Sequence, residues 1–346
     1  MIVQPPPPVL PSPLPAVEEI LARTHVVALP MRVRFRGVTV REAALIEGPA
    51  GWGEFAPFLE YPPAEAAAWL AAGLETAWLG LPAPASGSVE VNATVPAMDP
   101  AGVPGLLERY PGCTTVKVKV AERGQTLDDD RARVAAVRAA RPGAVVRVDA
   151  NRGWSVAEAV RAAEVLGELA YLEQPCASVA ELRQLRAELD RRGIATPIAA
   201  DESIRRAADP YLVAGSGACG WAVLKVAPLG GVRRLAAIAE HLRGAGMHVT
   251  VASALDTAVG MNAGLVAASL LSEAPAGLAT QSLFAADVAA PRELVGGRLP
   301  TAPAVPEPER LAELAAAPER RDWWFERIRA AHACLAEAHR ETGAGE

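Results

Sequence analysis

The sequence predicts an α/β protein in which a small N-terminal α+β domain precedes a (β/α) barrel. Three observations carry that reading. Up to Phe58 the chain is dominated by short β-type runs cut by Gly37, Gly48, Gly51 and Gly53. From Val89 onward, short apolar runs alternate with amphipathic helical ones, the pattern of parallel strands buried on both faces. Polar residues recur at the ends of those runs one βα unit apart: 32 residues separate Lys117 from Asp149, then 24 to Glu173, 28 to Asp201 and 24 to Lys225. Such even spacing favours a closed barrel over an open sheet, and no strand is followed by the G-x-G-x-x-G of a dinucleotide-binding fold.

Taken in order, residues 1–15 are proline-rich and read as a loose arm. Strands over 25–29, 31–35, 38–47 and 52–55 form an antiparallel meander. An alanine-rich helix over 64–79 follows, introduced by Pro62-Pro63 and stopped by Gly80. These elements make a capping domain of residues 1–88. The barrel, residues 89–290, takes strands over 89–95, 116–120, 145–149, 170–173, 198–201, 222–225 and 248–252, with helices over 129–140, 155–166, 179–190 and 232–243. Ser155 with Glu158 is a capping-box pair. Residues 291–346 read as a proline-rich connection and one helix from Glu307 to about Arg340. Its Trp323-Trp324-Phe325 cluster is expected to pack back on the small domain or the barrel wall.

Bulk properties narrow the class of function. A chain of 346 residues that is 51% hydrophobic can bury a large core, and a net charge of -6 argues against a nucleic-acid surface. Cys113, Cys176, Cys219 and Cys334 form no C-x-x-C pair, which fits a reduced, cytoplasmic protein. The first residues lack the basic and apolar regions of a signal peptide, and no apolar run reaches the roughly 18 residues of a membrane span. The expected partner is a small molecule, with neither nucleic acid nor membrane; the alanine-rich outer helix faces carry no signature of oligomeric state.

Chemistry concentrates at the strand ends, which form the active rim of a barrel. Lys117 and Lys119 are two apart, so they share one face of their strand while Val116, Val118 and Val120 take the other. Two ammonium groups side by side in a packed interior need anions beside them. Asp149, Glu173 and Asp201 supply these from three successive strands and make an all-oxygen set of the kind Mg²⁺ prefers, with Mn²⁺ as the other candidate. Lys225 ends the next strand. Asn151 and Glu202 are candidates for orienting these groups, Ser253 and Thr257 for touching a substrate, and Phe55 and Phe58 for closing over it.

Lys-x-Lys, Asp-x-Asn, Glu-Gln-Pro, Asp-Glu-Ser and Leu-Lys-x-x-x-x-Gly-Gly, in this order, resemble the muconate-lactonizing subgroup of the enolase superfamily. The likeness extends over nearly the whole chain, including Phe35-Arg36-Gly37 and Gly51-Trp52-Gly53-Glu54 of the capping domain. It implies an enolase-type modified TIM barrel, (β/α)7β, whose capping domain is completed by the C-terminal helical tail. It also implies a Lys or His base working beside Mg²⁺. Within the subgroup the wording is most similar to the members that eliminate water to give an aromatic ring in the menaquinone pathway. On that likeness Lys119 removes an α-proton and returns it to a departing hydroxyl, Lys117 holds the carboxylate as charge grows on it, and Lys225 lies against the ring as a cation. Racemisation of N-succinylamino or N-acylamino acids is the alternative, since Lys119 and Lys225 would place a base on each face. Those racemases tend to carry arginine three residues after the Lys225 position, where this chain has Pro228.

Overall fold

The computed structural model describes residues 6–35, 38–206 and 209–343; Arg36 and Gly37 of the Phe35-Arg36-Gly37 motif fall outside them. After a short helix, α1 (Val17–Ala22), strands β1 (Thr24–Phe35), β2 (Val38–Gly48) and β3 (Gly51–Phe55) form an antiparallel sheet in the order β1-β2-β3. Helix α2 (Pro63–Leu74) packs on it through Trp69, Leu70 and Leu74. Strand and helix meet backbone to backbone: a Cβ on Gly53 would sit 2.0 Å from the Gly73 carbonyl oxygen. The helix expected over 64–79 changes character at Glu75, where it widens into a π-type turn, Glu75–Leu79. Glu75 is fully buried, and its carboxylate accepts from Val232 N–H (2.7 Å) and Arg233 N–H (3.1 Å) of the barrel.

The run 89–95 is two strands rather than one. β4 (Ser88–Glu90) pairs antiparallel with β12 (Arg298–Pro300), outside the barrel, while β5 (Ala93–Val95) opens the barrel sheet. Helix α3 (Val103–Leu107) leads to β6 (Thr115–Lys119), and then strands and helices alternate: α4 (Leu127–Ala140), β7 (Val145–Asp149), α5 (Val156–Val165), β8 (Tyr171–Glu173), α6 (Val179–Arg191), β9 (Ile198–Ala200), α7 (Asp209–Ser216), β10 (Trp221–Leu224), α8 (Val232–Gly244), β11 (His248–Val251) and α9 (Gly260–Leu271). The sheet order is β5 to β11 without interruption, and each neighbouring pair is parallel. The ring is closed by two residues. Ala276 bridges to Val91 and Gly277 to Ala252, both in parallel sense, so this segment stands in the eighth strand position.

Beyond β12, the expectation of one helix from Glu307 is corrected. Two helices form, α10 (Pro308–Glu313) and α11 (Pro318–Gly343). Between them the chain extends along the open edge of β1: Ala28 N–H donates to Leu314 (2.8 Å) and Ala316 N–H to Val26 (2.9 Å). Pro318 has no N–H to return to residue 314, so the helix breaks there and the freed chain pairs with the strand edge. α11 then lies on α2 and inserts Trp324, fully buried, into the capping core. Phe55 meets it edge-on at 5.8 Å. The proline-rich arm is docked from Pro6 onward, not loose: Arg234 Nε donates to the Pro6 carbonyl (2.7 Å), and Leu10 and Leu14 pack on the capping core.

Candidate active site

The strand register gathers the predicted residues. Lys119, Asp149 and Glu173 are direct partners across β6, β7 and β8, and Lys117, Arg147 and Tyr171 are partners one layer deeper. Asp201 follows β9 and Lys225 follows β10. Lys117, Lys119, Asp149, Glu173, Asp201 and Lys225 are all at most 9% exposed. So many ions out of water are tolerated only if paired, and they are paired in alternation. Lys117 Nζ donates to Glu173 Oε1 (2.9 Å) and Oε2 (3.2 Å) and lies 3.6 Å from Asp149. Lys119 Nζ contacts Asp149 and donates to Asn151 Oδ1 (2.9 Å), and Lys225 Nζ contacts Asp201.

The charges shift one another. Burial, then the neighbouring Asp149, holds the Glu173 carboxyl above the ordinary range despite Lys117. Burial works against the Lys117 ammonium, but Glu173 and Asp149 outweigh it and hold the group firmly protonated. A carboxylate that resists its charge beside a lysine that keeps its own marks a place built for positive charge.

Two positioning contacts come from residues to which the sequence motifs assign no role of their own. Arg205, one helical turn after Asp201, donates to Asp201 Oδ2 (2.8 Å) and Glu202 Oε1 (2.8 Å). Gln174, with φ 37°, accepts from Asp201 N–H (3.1 Å) and Ser203 N–H (3.0 Å), tying the end of β8 to that of β9. Asn151 Oδ1 accepts from Lys119, and its Nδ2 donates to Glu202 Oε1 (3.1 Å).

Lys117, Asp149, Asp201 and Arg205 floor a cleft between the barrel and the cap. Lys119 and Lys225 line it with Ser253, Leu255, Thr280 and Pro228. The capping domain roofs it with Phe58, Tyr61 and Trp69, which contact one another through their ring edges and faces. Two expectations are corrected. Phe55 is fully buried against Trp324 in the capping core and does not face the cleft, because its strand alternation turns it away. Thr257 is turned from the cleft too: its hydroxyl donates to Glu54 Oε2 (2.5 Å), fastening the barrel to the cap. Tyr61 and Trp69 escaped the sequence reading because they lie on the cap helix and the loop before it, where an aromatic residue reads simply as core.

The donor set suits a hard divalent cation: three buried carboxylates, all oxygen, on neighbouring strand ends. Among the described residues, no three acidic, His or Cys side chains converge as a ready cation cage; Lys117, Lys119, Lys225 and Arg205 stand against the carboxylates instead. None of the described helices is long and apolar enough to cross a membrane.

Comparison with known proteins agrees with this architecture. Residues 26–77 match the family model described as enolase N-terminal domain-like, and residues 106–303 match enolase C-terminal domain-like. The chain is 57% identical over 327 residues to o-succinylbenzoate synthase of Mycolicibacterium smegmatis, covering 93% of this chain and 99% of that protein. It is 56% identical over 322 residues to o-succinylbenzoate synthase of Mycobacterium marinum, covering 92% and 95%. Among solved structures, muconate lactonizing enzyme from Pseudomonas fluorescens, complexed with muconolactone, superposes with a TM-score of 0.71 at 24% identity, over 85% of this chain and 98% of that one. The Pseudomonas putida enzyme superposes at 0.69 and 22%, over the same shares. These structural likenesses speak for the fold.

Proposed function

The chain belongs to the enolase superfamily, among its o-succinylbenzoate synthases, and from that premise we propose how its residues divide the work. The reaction is the dehydration of 2-succinyl-6-hydroxy-2,4-cyclohexadiene-1-carboxylate to 2-succinylbenzoate, a hydro-lyase step. We place it in menaquinone biosynthesis and in the cytoplasm. The racemase alternative is not favoured, since the relatives are synthases and Pro228 itself lines the cleft.

The observation that carries the assignment of roles is that Lys119 and Lys225 line one cleft with the buried Asp149 and Asp201, while Glu173 is buried against Lys117. Enzymes of this superfamily generally use Mg²⁺. Here Asp149, Glu173 and Asp201 would hold it, with Mn²⁺ as a substitute, and it would supply fixed positive charge beside the substrate carboxylate. Lys119 in its neutral form takes the α-proton, and the C–H electrons move toward the carboxylate. Lys117, kept protonated by its neighbours, donates to that carboxylate as its charge grows. The same Lys119 then returns the proton to the departing hydroxyl on the same face. Water leaves, the ring becomes aromatic, and Lys119 is neutral again. Lys225 stays charged against the opposite ring face, where a cation is attracted to π-electrons. Asn151 steadies the Lys119 amine, and Glu202 steadies Asn151 and Arg205. Ser253 lines the cleft, where its hydroxyl can meet the substrate.

The test is the loss of diene absorbance with Mg²⁺, comparing the wild type with Lys119→Ala and with an EDTA-treated sample. Rapid loss in the wild type, abolished by either treatment, is expected. Turnover that survives in Lys119→Ala would remove Lys119 from the role of base.

A further inference from the structure

Leu255, in the loop after β11, has φ 63°, a left-handed conformation that side-chain-bearing residues keep only when their surroundings hold them there. With Ser253 and Ala254 it forms one wall of the cleft. What holds it comes from the other domain. Arg41, on β2, is 4% exposed; its Nε donates to the Leu255 carbonyl (3.1 Å), and its Nη2 donates to the Ala56 carbonyl and, at 3.5 Å, to Ala254. The guanidinium lies 4.7 Å from the ring centre of Phe58, which lines the cleft from the cap side. Glu54 and Asp256, both buried, offset its charge.

We propose that Arg41 is a positioning residue, which fixes the strained barrel loop and Phe58 of the cap as a single wall and so sets affinity for the unreacting part of the substrate. The inference rests on the cleft being the substrate site. The geometry uses the rigid planar fork: Nε reaches the Leu255 carbonyl while Nη2 reaches Ala56 and Ala254, and the guanidinium face meets Phe58, a combination the flexible lysine side chain does not reproduce. Arg41 spends its donors on carbonyls of the cleft wall, so its loss should act on binding before chemistry.

The experiment is a cycle of Arg41→Met and Leu255→Gly, with Arg41→Lys as a second probe that keeps the charge. Arg41→Met is expected to raise KM about tenfold while kcat changes less than about threefold, the signature of lost uniform binding. Arg41→Lys should behave alike, and it carries the same comparison if the methionine variant does not fold. In the Leu255→Gly background, where the backbone adopts positive φ freely, Arg41→Met should add less than about threefold. Amide exchange followed by mass spectrometry should quicken within 253–257 and 56–58 while β1–β3 stay protected. A fall in kcat at unchanged KM, with faster exchange across the whole capping sheet, would reduce Arg41 to general stability and overturn the proposal. Equal cost in both backgrounds would overturn it too. The exchange measurement needs no substrate, so an inactive wild type showing the expected exchange pattern would sink the proposed reaction and leave the role of Arg41 standing.

Discussion

Buried charge is handled in two ways in this molecule. At the strand ends, Lys117, Lys119 and Lys225 meet Glu173, Asp149 and Asp201, side chain to side chain on adjacent strands. Along the seam between cap and barrel, Arg41, Glu54 and Glu75 are held largely by backbone groups of the other domain: carbonyls for Arg41, and N–H groups of Thr257, Gly260, Val232 and Arg233 for the two glutamates. The first arrangement is exchangeable, because an ammonium can leave a carboxylate when substrate or cation arrives. The second is fixed, because a backbone amide cannot be withdrawn without moving a helix. Substitutions at the strand ends should therefore cost turnover, and loss of the seam contacts of Glu54 and Glu75 should cost stability, Arg41 being the seam residue that acts on binding.

The sharpest test of that division is Lys225→Ala. It should lower kcat/KM about 10²–10³-fold, as for the loss of one preorganised electrostatic partner, with the melting temperature little changed because Arg205 still pairs with Asp201. A large drop in melting temperature would mean that the ion pairs of the cleft are structural as well.

At the seam, Gly231→Ala should do the reverse. Gly231 has φ 113°, and a Cβ there would fall 1.9 Å from Glu75 Oε2, whose carboxylate is already fastened to α8. The expected loss is about 2–5 kcal/mol from strain and overpacking, measured by denaturant unfolding, with kcat of the folded fraction little changed. Full stability in this variant would mean that Glu75 can leave α8 without cost.

A gentler probe uses Asp287. Burial pushes its carboxyl up to about 6, although it accepts from Ala258 N–H (3.1 Å) and Val288 N–H (2.7 Å). The folded form then holds a proton that the unfolded form releases between roughly pH 4 and 6, so stability is full below that window and falls by about 3 kcal/mol as pH rises through it. Asp287→Asn should flatten that slope in a pH series of unfolding curves; an unchanged slope would place the titration elsewhere.

The two arrangements also differ in how far they are legible in sequence. Lys117, Asp149, Glu173, Asp201 and Lys225 stand at the ends of apolar runs with regular spacing, and a barrel turns that spacing into proximity. The seam has no such rule. Glu54 and Thr257 are 203 positions apart, and neither strand alternation nor helical period connects them. Phe55 and Thr257 stand close in sequence to residues of the cleft, and only the fold turns them away from it. Gly230-Gly231 was legible as part of a motif but not as a cause: the second glycine is needed because Glu75 fills the space its side chain would take. The break at 314–317 had one local signal, Pro318, but its capture by the edge of β1, nearly 300 residues earlier, had none.

The insertion of Trp324 beside Phe55 has a consequence for synthesis. The two aromatic rings of one small core are made 269 residues apart, the difference between positions 324 and 55. At about 5–20 residues per second the ribosome separates them by roughly 15–50 s. Through that interval the first sheet has emerged while the ring that seals it has yet to be translated. The domain begun first is thus among the last to be finished, and a chain released early would carry a complete set of strand-end charges beneath an open-cored roof.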